Sequence, residues 1–123
     1  MTKKYFTLSE AQELLPIIQV ELHHLQRLQN EFQDKYVELR TINDGEGTFE
    51  LECQLEFLQM EANMHINNIH TQGVQLKDID HGLIDFPAWI DGEEVLLCWK
   101  QGEDQIDYYH GIHEGFMGRK KIK

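Results

Sequence analysis

The sequence predicts an α+β fold: a long N-terminal antiparallel helical hairpin followed by a small, mainly antiparallel β-sheet. Three observations predict it. Apolar residues recur at three- and four-residue steps from Leu8 to Leu39 and again from Leu51 to Ile69. After Val74 the period shortens toward two. Turn signals at Asp80-His81-Gly82, Asp91-Gly92 and Gln101-Gly102-Glu103-Asp104 then cut the remainder into strand-sized pieces.

The first helix opens on a capping box, Thr7-Leu8-Ser9-Glu10, with Phe6 placed as a hydrophobic staple. Its seam is Leu8, Ala11, Leu15, Ile18, Leu22, Leu25, Leu28, Phe32, Tyr36 and Leu39. Pro16 removes one ladder hydrogen bond, so a kink rather than a break is expected there. Asn43-Asp44-Gly45-Glu46-Gly47 is a turn cluster. The second helix should run from Thr48 to Gly73, its seam Leu51, Leu55, Leu58, Ala62, His65 and Ile69. Gly73 suits the left-handed position that closes a helix.

Beyond it, Gln75-Leu76-Lys77 reads as a short strand and Leu83 to Ile90 as a longer one. Pro87 implies an edge or a bulge in the latter. Asp91-Gly92 is a strong hairpin turn, and Val95 to Lys100 is the clearest strand. The last strand is expected from Ile106 to His110, with Ile106, Tyr108 and His110 on one face. Gly111 to Lys123 reads as glycine-rich loop and tail.

The 123 residues, 41% hydrophobic and 27% charged, fit one domain over residues 1–123. Within it, 1–73 form the hairpin and 74–123 the sheet and tail. The net charge of −11 argues against nucleic acid and anionic membranes as partners. No apolar run reaches the length of a membrane span, and no signal peptide is recognisable. Cys53 and Cys98 are no disulfide framework; they read as reduced thiols in a cytoplasmic protein. A first helix of about 33 residues is roughly 50 Å long and overhangs a globule of roughly 35 Å. A homodimer through the helices would cover the exposed flanks.

Candidate chemistry concentrates in the last third. His110 and His113 have H-x-x-H spacing, Glu103 lies across a turn, and Asp85 can be brought near by strand pairing. Imidazole nitrogen supplies affinity and carboxylate supplies charge, so Glu103, His110 and His113, or Asp85 in place of His113, can hold zinc, manganese or iron. Against this, His110 can equally be a hydrogen-bonded strand residue and His113 a solvated one. In Gly115-Phe116-Met117-Gly118-Arg119 the arginine fork suits a carboxylate or phosphate, making a cradle for a small anionic ligand with His110. The plainer reading is a salt bridge from Arg119 to Asp85, Glu103 or Asp107 that closes the sheet. Asp85 and Glu103 beside Trp99 or Phe86 could serve as an acid–base pair, though each has an ordinary structural role available. Cys98, in mid-strand, is a poor setting for a nucleophile. His65, on the second helix's seam, is expected to be a satisfied core residue.

Several of these segments together carry a resemblance: Phe6-Thr7-Leu8, Leu14-Leu15-Pro16, Gly82-Leu83-Ile84-Asp85-Phe86-Pro87-Ala88, Leu97-Cys98-Trp99, Gly102-Glu103, Tyr109-His110 and Gly115-Phe116-x-Gly118-Arg119. The chain resembles the uncharacterised bacterial family catalogued as domain of unknown function 2203, over nearly its whole length. The family often carries Trp where this chain has Tyr109, and an acidic residue near His113, which makes His113 the weakest of the metal set. The resemblance implies a cytoplasmic domain and no particular mechanism.

The function expected from the residues is a binding or assembly module. Asp85, Glu103, His110 and Arg119 would present a face to a small anionic ligand or protein partner. The alternative is a small metal-dependent hydrolase using Glu103, His110 and Asp85 or His113.

Overall fold

The computed structural model describes residues 3–42, 45 and 47–123. Helix α1 runs Leu8–Thr41 and α2 Thr48–His70. Strands follow at Gln75–Asp78 (β1), Leu83–Ile90 (β2), Glu93–Lys100 (β3), Tyr108–Gly111 (β4) and Lys120–Lys121 (β5), with a 3-10 turn at Phe116–Gly118 before β5. The fold is α+β, as the periodicity predicts.

The predicted capping box starts α1. The Glu10 N–H donates to Thr7 Oγ1 at 3.1 Å, and the Thr7 N–H donates to Glu10 Oε1 at 2.8 Å. The helix continues through Pro16 as one element. Ala11, Leu15, Ile18, Leu22, Leu25 and Leu28 are buried along its seam. Beyond Leu28 burial falls away: Phe32 and Leu39 are half-covered and Tyr36 is exposed. At ~1.5 Å per residue the 34 residues of α1 extend about 51 Å, so among the described elements its far end has only α2 to pack on. In the connecting turn, Asn43, Asp44 and Glu46 lie outside the described residues. On α2, Leu51, Leu55, His65 and Ile69 are buried against α1. Gly73 has φ of +87°, the left-handed conformation expected after the helix.

The sheet is an antiparallel meander in which spatial order follows chain order, β1 to β5. Asp91 and Gly92 both have positive φ (52° and 78°), the requirement of the tight turn joining β2 to β3. That turn sets Ile90 opposite Glu93 and, counting back along both strands, Asp85 opposite Cys98. Ile84, Phe86, Ala88, Val95, Leu97 and Trp99 point to the helices and form one core with the α1 seam, Ile69 and Phe6. Side-chain amides of α1 tie the loops of the sheet to it. Gln12 accepts from the Ile106 N–H at 3.1 Å, and Gln26 donates to the Ile79 carbonyl at 3.0 Å.

Pro87 occupies an edge, as a residue without an N–H should. Pairing with β1 ends at Asp85, and the free side of β2 beyond it is covered by the N-terminal segment. The Phe6 N–H donates to the Pro87 carbonyl at 2.7 Å, and the Tyr5 ring lies 5.2 Å from that of Trp89.

Two expectations are corrected. The last strand begins at Tyr108, not Ile106, because the chain from Asp104 to Asp107 follows the turn irregularly. Strict alternation therefore fails: Ile106 lies in the helix-side core, while His110 faces the opposite side. The tail is also more than a loop. Lys120 and Lys121 pair with Tyr109 and Tyr108 as β5, and the Ile122 N–H donates to the Asp107 carbonyl at 2.7 Å.

Candidate metal centre

On an antiparallel sheet, residues directly opposite share a face, and so do residues two apart on one strand. Asp85 opposes Cys98, and His110 opposes Leu96. Asp85, Cys98 and His110 therefore project together from three neighbouring strands, away from the helices. This outer face is covered by the segment from Gly111 to Arg119, and the three side chains are almost wholly buried beneath it: 2%, 2% and 3% exposed. A small cleft of about 170 Å³ opens over them, bounded by Lys77, Ile112, Glu114 and Phe116.

The geometry within the cluster is specific. His110 Nδ1 lies 2.9 Å from the Gly111 carbonyl oxygen. A carbonyl only accepts, so Nδ1 donates its proton there, which turns Nε2 toward the carboxyl side. Nε2 faces Asp85 Oδ2 at 3.1 Å. Burial raises the Asp85 carboxyl above its usual range, opposed by the charge of His110, a hydrogen bond from Cys98 and the charge of Lys77. Burial, reinforced by Asp85, pushes the Cys98 thiol up to about 12. Cys98 is thus an inert thiol in this environment, in keeping with a mid-strand position.

A ring nitrogen of His110, an Asp85 oxygen and Cys98 Sγ all lie within 4.8 Å of one another. Tetrahedral zinc with bonds near 2.0–2.3 Å needs donor atoms about 3.3–3.8 Å apart, a spacing bracketed by the 3.1 Å between His110 and Asp85 and the 4.8 Å limit of the cluster. Among the described residues this is the only group of three or more metal-capable side chains so gathered.

The four residues singled out as a ligand face therefore form two pairs. Asp85 meets His110. Glu103 meets Arg119, whose Nη2 lies 2.5 Å from Glu103 Oε2. The Arg119 guanidinium is also sandwiched between the Tyr108 and Phe116 rings, 4.0 and 4.6 Å from their centroids. The other Glu103 oxygen accepts from the Lys100 N–H at 2.8 Å. This is the structural salt bridge weighed above, and it fastens the tail to the β3–β4 turn. Only Arg119 Nε is buried without a partner among the described residues. His113 is exposed in the segment after β4, and neither it nor Glu103 belongs to the Asp85 cluster.

Cys98 is the member that reading the sequence missed. The signal was present, because the two-residue turn at Asp91-Gly92 dictates that Cys98 stands across from Asp85. A second polar group lies between the helices, where His65 Nδ1 meets Glu21 Oε2 at 2.5 Å and the His65 ring stacks on His24 at 4.7 Å. His65 is thereby a satisfied core residue.

No helix among the described residues is long and apolar enough to cross a membrane. The chain matches, over residues 4–122, the family described as an uncharacterized conserved protein (DUF2203), and it belongs to that family. No curated protein and no solved structure matches it.

Proposed function

We propose that this member of the uncharacterised family is a metal-binding module, with one transition-metal ion held by Asp85, Cys98 and His110 on the outer face of the sheet. The observation that carries the proposal is the gathering of carboxylate, thiol and imidazole donors within 4.8 Å under the tail. The orientation of His110 supports it. A ring whose Nδ1–H is held by a backbone carbonyl is the usual arrangement of a metal-binding histidine, because it fixes the tautomer and aims Nε2. Burial supports it too. Three polar groups withdrawn from water weaken the fold unless something repays them, and a cation does so by ionising both the thiol and the carboxyl. A sulfur ligand favours zinc or iron over manganese.

The reading of Arg119 as the anchor for a small anion is less well supported. Its fork is taken by Glu103 and its faces by two rings, which leaves Nε alone.

The experiment is elemental analysis of protein purified without chelator, followed by zinc titration of the stripped protein. About one ion per chain is expected, with micromolar or tighter affinity. Cys98→Ser, which preserves shape, should lose the ion while keeping the circular dichroism spectrum. Stripped protein that takes up no zinc or iron, or a Cys98→Ser variant that binds as well as the native chain, would overturn the proposal.

One observation favours a second reading, the small hydrolase. A cleft opens beside the three side chains, and a zinc ion held by only three protein ligands would keep a fourth position for water, the pattern of catalytic rather than structural zinc. A water there would be acidified by the ion. Hydrolysis of a nitrophenyl ester or phosphate that depends on bound zinc and disappears in Cys98→Ser would support it.

A further inference from the structure

The outer side of α2 carries a second apolar stripe. Phe49, Phe57, Met60 and Met64 are each more than half exposed, and the exposed thiol of Cys53 lies among them. At about 100° per residue these five positions fall within an arc of about 80°, opposite the Leu51, Leu55 and Ile69 seam that packs on α1. From Cys53 onward the steps are four, three and four, the spacing of a coiled-coil seam.

The rims of the stripe have one sign. Glu50 and Glu61 border one side, Glu52 and Glu56 the other, and α2 contains no Lys or Arg. Among the described residues, Arg27 is the only cation within salt-bridge distance of these four, 3.5 Å from Glu61.

We propose that this face docks a basic amphipathic helix from a partner protein, a role separate from the metal site. Apolar residues at three- and four-residue spacing would seat on Phe57, Met60 and Met64, and flanking Lys and Arg would meet the two acidic rims. The flexible thioethers of Met60 and Met64 adapt to such a surface. A second copy of this chain fits the face less well. Pairing two α2 helices about a twofold axis, parallel or antiparallel, sets an acidic rim of one against an acidic rim of the other, like charge against like.

The probe is a fluorescently labelled, designed amphipathic peptide of Leu and Lys, with a Leu and Glu peptide of the same pattern as control. Binding to the full chain is read by anisotropy, and location by protection of Cys53 from alkylation, with buried Cys98 as the internal reference. The expected result is binding of the basic peptide alone, weakened by salt. Phe57→Ser with Met60→Ser should weaken it by about tenfold or more, and the bound peptide should shield Cys53. Two results would overturn the proposal. One is affinity unchanged in the double variant, which would mean attraction to net charge without docking. The other is sedimentation of the native chain as a dimer that the double variant dissociates, which would mean a second copy covers this face.

Discussion

The face of the sheet beneath the helices presents Ile84, Phe86, Ala88, Val95, Leu97 and Trp99, all buried and all apolar in bulk. The face beneath the tail buries Asp85, Cys98 and His110 as deeply, set beside apolar Leu96 and Pro87. One set of strands thus supports two interiors, one wholly apolar and one with titratable groups at its centre. Apolar burial stabilises the first by roughly 25 cal/mol per Å² removed from water. The second exchanges water contacts for internal hydrogen bonds, a trade with a much smaller net gain. A protein selected for stability alone would fill both with aliphatic side chains, so the polar set is where a function is to be sought.

The comparison can be broken most forcefully at Phe86. It is fully buried and meets Phe6 edge-on at a centroid distance of 5.4 Å. Phe86→Ala should cost about 3–5 kcal/mol in urea unfolding. A smaller loss would mean that the helix-side core is more forgiving than its packing suggests.

His110→Ala is next. It leaves buried Asp85 without its imidazole partner and should cost about 2–4 kcal/mol. The sharper test is Asp85→Leu combined with His110→Leu, which removes both polar partners. That double variant is expected to match or exceed native stability while losing metal, whereas a double variant as unstable as His110→Ala would make the pair a structural necessity.

Arg119→Ala should cost less, about 1–3 kcal/mol, by releasing the tail from Glu103 and the two rings. Its signature is chemical: Cys98 should become open to alkylation while the helices stay intact by circular dichroism. Unchanged Cys98 protection would mean that the tail is held by β5 alone.

The smallest effect is expected at the capping box. The Glu10 carboxyl is held below its usual range, chiefly by the Thr7 N–H and also by the Thr7 hydroxyl. A carboxylate depressed in the folded state stabilises above its unfolded value of 4.5, and that contribution disappears as pH falls through the folded value. Glu10→Gln should therefore lower thermal stability slightly at neutral pH and make no difference in strong acid. A penalty that persists in acid would locate the role of Glu10 in something other than its charge.

Much of the architecture was legible in the residues because it is set locally. Thr7 and Glu10 announce α1 by sequence spacing alone, and Asp91-Gly92 announces a hairpin because few other pairs accept positive φ twice. Two of the three members of the candidate centre could have been paired for the same reason, since a two-residue turn fixes the register that sets Cys98 across from Asp85, although Cys98 was set aside as a mid-strand thiol. His110 was recognised as chemically suited, but its meeting with Asp85 was not derivable. The chain between β3 and β4 is irregular, so no count along it yields the register, as the misplaced face of Ile106 shows. Arg119 had three acidic residues in reach of reasoning, and only packing on Tyr108 and Phe116 selected Glu103.

The meander has a consequence for how the molecule comes into being. Every strand pairs with its neighbour in the chain, so each pairing closes a short loop at small entropic cost, and assembly should be quick for a protein containing a sheet. The three donors sit on successive strands, and their roof is the segment that follows β4. Pairing of β2, β3 and β4 needs none of that segment, so the outer face can form before it is covered, leaving an interval in which an ion can enter from solution.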